Sequence, residues 1–139
     1  MTLDNVRGEQ MRSINEFKAG NKIKGFLNKL FEARQVAHIA HLQTKSYAEH
    51  KALNSFYDSI LDLTDGFIEA YQGQYGIVTG YESISSTAPD SIDKYISDFA
   101  DDVKAARKNL DENDTHLQNM LDEIISLAYS TVYKLRYLK

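Results

Sequence analysis

The residues with the chemistry of a metal site lie on two neighbouring helical patterns. His38 and His41 fall on the stripe formed by Ile23, Phe26, Leu27, Leu30 and Phe31. Downstream, His50, Asn54, Asp58, Asp62, Asp65 and Glu69 recur at three- and four-residue steps, with His50 one turn before Asn54, which puts them on one flank of a second stripe. Imidazole and carboxylate together suit iron, zinc or manganese. A lone histidine on an apolar face is ordinarily a packed core residue, and an acidic flank is ordinarily a solvated face. Both features on adjoining helices make a metal site worth testing.

Spacing decides how such a site is built. His50 and Asp65 are fifteen residues apart, about 22 Å along a helix. Metal–ligand bonds are only about 2 Å long, so one chain does not bring both to one ion. A second copy of the helix, packed antiparallel across a two-fold axis, does. Residues whose numbers sum to 119 then face one another: Asn54 meets Asp65, and His50 meets Glu69. The axis falls near Ser59 and Ile60. Each of two equivalent sites takes imidazole from one copy and carboxylates from the other.

The elements that must hold these residues follow from periodicity. A helix over about 21–43 carries the first stripe, and a second over 47–72 carries Leu53, Phe56, Tyr57, Ile60, Leu61, Thr64, Phe67, Ile68 and Tyr71. Gly73 and Gly76 are expected to end it. Residues 73–89, rich in Gly and Ser, read as a long connection with room for one short helical turn. A third helix starts after Pro89, capped by Asp90 or Ser91, and carries Ile92, Tyr95, Ile96, Phe99, Val103, Ala106 and Leu110. After a tight turn at Asp111–Asn113, a fourth helix runs from Asp114 to the end, with Leu117, Met120, Leu121, Ile124, Leu127, Ala128, Leu135 and Leu138 facing in. Leu3, Val6, Ile14 and Phe17 predict a short N-terminal helix closed by Gly20. Short links join helices one and two, and three and four. The long link between the second and third is long enough to run back along the bundle. The expected fold is therefore all-α: a ferritin-like four-helix bundle with one long crossover, plus a short N-terminal helix.

Composition narrows the chemistry. The 139 residues fit one domain, 1–139. There is no cysteine, so disulfides and thiolate metal sites are excluded, and any metal must be held by His, Asp or Glu. The net charge of −4 argues against a nucleic-acid partner. No leader pattern and no apolar run long enough to span a bilayer is visible, so a cytoplasmic location is expected. Glu-x-x-His, the pattern of an intrasubunit ferritin site, is absent. Glu112, His116 and Glu123 read as helix-surface pairs. The nine tyrosines read as packing residues.

The stretch from His41 to His50, then Ala52–Leu53–Asn54, Phe56–Tyr57–Asp58 and Asp65 to Glu69, resembles the Dps family of mini-ferritins. The likeness is closest to small Dps-like proteins carried by tailed phages. Asp114–Thr115 and Tyr133–Lys134–Leu135 extend it more weakly. The resemblance implies metal ligands His41, His50 and the position of Asn54 from one subunit, with Asp65 and Glu69 from its partner. It also implies iron(II) oxidation by peroxide or oxygen, and storage in a hollow dodecamer built on two-fold dimers. Three departures stand out. Asn54 replaces the family's Asp, removing one negative ligand, so two-iron occupancy and ferroxidase activity are expected to weaken. The gap from His41 to His50 is short for the family, leaving His38 as a substitute for His41. The N-terminus lacks the Lys-rich tail that many such proteins use on DNA.

Overall fold

The structure, a computed structural model, describes residues 21–139. The N-terminal helix expected around Leu3, Val6, Ile14 and Phe17 lies outside the described residues. Four helices follow: α1, Asn21–Gln43; α2, Tyr47–Tyr75; α3, Ile92–Asn109; and α4, Thr115–Tyr137. There is no strand among the described residues, so the fold is an all-α bundle. No helix among them is long and apolar enough to cross a membrane.

The stripes read from periodicity meet in one core. Leu27 and Leu30 of α1, Leu53, Phe56, Ile60 and Phe67 of α2, Ile96 and Val103 of α3, and Leu117, Leu121 and Ile124 of α4 are all buried. α1 packs on α2, α3 on α4 and α2 on α4, with a lighter contact between α1 and α3 that closes the ring. Surface pairs set the register of α3 against α4. Arg107 forks onto Asp122 at 2.6 and 3.2 Å, and Arg136 donates to Asp93 at 2.8 Å. Being exposed, each contributes only about 0–1 kcal/mol.

Three boundaries or faces differ from expectation, while Ser91 is one of the two caps expected. α2 continues through Gly73 to Tyr75. A glycine inside a helix costs only about 1 kcal/mol, and Tyr71 and Tyr75 on either side are packed into the bundle. The helix stops at Gly76, whose φ of 102° is open to glycine but strained for other residues, and whose N–H bonds Gln72 O at 2.8 Å. Ser91 is the N-cap of α3, but its hydroxyl donates to Asp93 and makes no capping bond. Asp114 is the N-cap of α4, one residue before the helix proper. Phe31, Leu61 and Leu138, expected to face in, are 36%, 37% and 50% exposed. Phe31 and Leu61 sit at the edges of their stripes, where the helical arc turns to solvent, and Leu138 follows the last residue of α4 as its C-cap.

Residues 76–91 form no helix, not even the short turn allowed for. They lie along α1. Lys24 Nζ sits 3.1 Å from the place a Cβ on Gly80 would occupy, Asn28 donates to Glu82 O at 3.4 Å, and Gln35 donates to Ser86 Oγ at 3.5 Å. Tyr81 meets Phe31 edge-on at 5.5 Å. Ala88 and Pro89 share a shallow cleft with Ala40 and Gln43 near the end of α1.

Burial separates core from edge in a way that mutation can check. Phe56→Ala should lower stability by about 3–5 kcal/mol. Leu61→Ala on the same helix should change it by less than about 1 kcal/mol. Urea denaturation of both variants measures the contrast.

Candidate metal site and the histidine clasp

Only Thr44, Lys45 and Ser46 separate α1 from α2. Local bonds shape this reversal: Thr44 N–H to Ala40 O at 3.0 Å, Ser46 N–H to Thr44 Oγ1 at 3.1 Å, and Glu49 N–H to Ser46 Oγ at 3.2 Å. The last is an N-cap worth about 1 kcal/mol. Carbonyls in the last turn of a helix have no partner within it. His41 O, in the last turn of α1, is reached from outside by His50 Nδ1 at 2.8 Å. The bond is returned: His41 Nδ1 lies 2.7 Å from His50 O. The two imidazoles stack with ring centroids 3.6 Å apart and planes 18° from parallel. A carbonyl only accepts, so each Nδ1 carries the hydrogen, and the lone pair of each neutral ring lies on Nε2. Metal-binding histidines use this arrangement, one nitrogen tied to a carbonyl and the other left for the ion.

The surroundings extend the clasp along α2. His38 stacks on Tyr57 at 4.2 Å, and Tyr57 meets His41 edge-on at 5.1 Å. Tyr57 Oη donates to Asn54 Oδ1 at 2.9 Å, and Asn54 Nδ2 donates to Asp58 Oδ2 at 3.0 Å. Of the two α1 histidines, His41 is therefore the one bonded to His50, while His38 packs on the tyrosine. Asn54 has its amide hydrogen and one of its oxygen lone pairs in use. Imidazole binds a metal in its own plane at about 2.0–2.1 Å. Two nearly parallel rings 3.6 Å apart do not chelate one ion, so His41 and His50 offer separate donors.

The carboxylates are elsewhere. Asp58, Asp62, Asp65 and Glu69 are exposed along α2, and no ion pair among the described residues involves them. No group of three or more His, Asp or Glu among the described residues is placed to hold a metal ion. One chain thus gathers His41, His50 and Asn54 and leaves Asp65 and Glu69 apart from them, as the helix arithmetic requires.

A second polar cluster, at the far end of α2, escaped the sequence reading. Asp114 is buried and accepts Gln74 Nε2 at 2.8 Å and the Tyr75 hydroxyl. His116 Nε2 donates to Gln74 Oε1 at 2.9 Å, so His116 bridges helices instead of making a surface pair with Glu112. These residues lie some forty positions apart, and only the antiparallel packing of α2 on α4 joins them. No spacing in the sequence signals the cluster, and the Asp114 side chain makes no capping bond to α4. Burial, then the Asp114 charge, pushes the Tyr71 phenol up to about 12. Tyr75 is pushed up too, by burial and by its bond to Asp114.

Both clusters have measurable consequences. A phenol with a folded pKa above its unfolded value near 10 favours the fold below pH 10 and loses that contribution as pH rises through about 12. Stability should fall over that window, and Tyr71→Phe should make the fall shallower in a pH series of thermal melts. For the clasp, urea unfolding of His41→Ala, His50→Ala and the double variant should give a coupling of about 0.5–3 kcal/mol. Additive losses would mean the reciprocal bonds contribute nothing jointly.

The chain is 32% identical over 117 residues to an uncharacterised 14.6 kDa protein from the mobD–ri intergenic region of Enterobacteria phage T4, spanning 83% of this chain and 88% of that relative. No solved structure matches. A family model described as a family of unknown function, DUF5856, matches residues 41–135, a span that opens at His41 and takes in the clasp, α2, α3 and most of α4. The chain belongs to the DUF5856 family.

Proposed function

We propose that this chain is a ferritin-like, Dps-like subunit that pairs with a second copy across α2 and binds a divalent metal ion, iron first, between the two. The observation that carries the reading is the clasp: His41 and His50 each spend Nδ1 on a carbonyl and keep Nε2 for a ligand. His50 would hold the ion together with Asp65 and Glu69 of the second copy. His41 fixes the orientation of His50 and adds a donor of its own. The crossover reading draws support from residues 76–91, which follow α1 from near its start to its end. Iron is the cargo, and oxidation of iron(II) by peroxide or oxygen is the chemistry such a site supplies. Zinc or manganese suits the same donors.

A second reading has its own observation. Asn54, where an added carboxylate would strengthen the site, is bonded to Tyr57 and Asp58. That favours a helical assembly protein whose metal site has lost a ligand. In either reading the partner is a second copy, and the net charge of −4 disfavours DNA.

Anaerobic iron(II) titration with light scattering separates the two. The metal reading predicts saturable binding by an oligomer, weakened about tenfold or more in His50→Ala and in Glu69→Ala. Mixing the two variants should restore about a quarter of the sites, because about half of randomly formed pairs are mixed and each mixed pair has one intact site and one lacking both ligands. A folded oligomer that binds no iron supports the assembly reading. Variants that lose binding alone and do not recover on mixing contradict a site shared between copies.

A further inference from the structure

Residues 76–91 are attached to the bundle differently from everything else in it. None of them is buried: Val78, Ile84, Ala88 and Pro89 are half-buried, and the rest are exposed. The core is made by buried residues of the helices with Leu110, and the segment adds only Val78 and Ala88 packed against it. Past the Gly76 cap, the backbone N–H groups of Val78, Ser85 and Thr87 bond side chains, Gln72 Oε1, the Glu32 carboxylate and Ser85 Oγ in turn. The side-chain bonds that tie it to α1, Asn28 to Glu82 O and Gln35 to Ser86 Oγ, are long at 3.4 and 3.5 Å. The firmest apolar attachment is the edge contact of Tyr81 with Phe31. Two glycines at positive φ, Gly76 at 102° and Gly80 at 82°, stand at the end leaving α2, and Pro89 stands at the other. Local opening is drawn from segments with few buried contacts and few internal bonds.

Beneath the segment lies something to uncover. A polar cleft of about 210 Å³ is lined by Lys29 and Glu32 of α1 and by Glu82 and Ser83 of the segment. Glu32 accepts from Lys29 at 3.1 Å and from the Tyr95 hydroxyl of α3 at 3.0 Å. Burial alone would raise the Glu32 carboxyl, but these bonds outweigh it and hold it below its ordinary value. Two of its partners, Lys29 and Tyr95, belong to the helices and stay with it when the segment lifts, while a backbone hydrogen bond from Ser85 of the segment is given up.

We infer that residues 76–91 are a hinged strap that lifts from α1 while the four helices stay folded, with Tyr81 on Phe31 as its latch and the cleft lined by Lys29 and Glu32 as the surface it uncovers. Lifting removes no buried side chain, only the half-buried Val78 and Ala88 from the edge of the core, and the turn at Gly76 and Gly80 accommodates the swing at low conformational cost.

Native-state proteolysis with a glutamate-specific protease tests this, because Glu82 lies in the strap. Cleavage after Glu82 is expected at a rate nearly independent of urea below the unfolding transition, leaving the helices associated. Phe31→Ala, at an edge position, should speed that cleavage by roughly two- to tenfold, the factor expected for loss of an aromatic pair. The chain has no cysteine of its own, so a Gln35→Cys/Ser86→Cys pair, once oxidised, should stop cleavage until it is reduced. Cleavage that follows global unfolding across the urea series would overturn the inference. So would rates that neither Phe31→Ala nor the oxidised pair changes.

Discussion

Between Gln43 and Tyr47 the chain reverses in three residues, and two imidazoles hold the reversal. His50 reaches back to the His41 carbonyl, and His41 reaches forward to the His50 carbonyl, with the rings face to face between them. One bond satisfies an orphan carbonyl at the end of α1. The other adds a second donor to a carbonyl in the first turn of α2. The antiparallel alignment of α1 and α2 starts from this point and continues through His38 on Tyr57 to Phe26 on Phe67. The same pair of bonds sets the chemistry. With Nδ1 committed, the only ring nitrogens left to bind anything are the two Nε2 atoms. Packing and candidate function share one interaction, so a change to either histidine acts on both.

Geometry then limits what one chain does. The stacked rings do not close on one ion, and the α2 carboxylates run on along an exposed flank away from them. Asn54, between the two sets, is held by Tyr57 and Asp58. An acidic flank with no ion pairs among the described residues is costly to cover with another acidic flank and is stabilised by cations. This is the physical reason a shared metal and a two-fold pairing belong in one proposal.

Much of the fold was legible because it depends on periodicity. The four helices and their buried stripes follow from apolar residues at three- and four-residue spacing. The places where reading failed are those where spacing is silent. Gly73 looks like a stop, but Tyr71 and Tyr75 are packed on either side of it and carry the helix on. Phe31 and Leu61 match the period yet lie at the edge of the arc, and Leu138 falls just past the end of α4. The site was legible only in part. His41 and His50 could be singled out by type and place, but their mutual bonds depend on the turn between them, and nothing in the spacing separated His41 from His38. The Asp114 cluster joins residues from opposite parts of the chain, so it appears only once α2 and α4 are packed.

The claim on which the account turns is the tautomer of the two clasp histidines. Nitrogen-15 NMR of the imidazoles of His41 and His50 reads it directly at neutral pH. The account predicts a protonated Nδ1 and a bare Nε2 on both rings, with the Nε2 signals shifting when zinc is added to the assembled protein. A bare Nδ1 on either ring would contradict the clasp, and Nε2 signals unmoved by metal would contradict the site built on it.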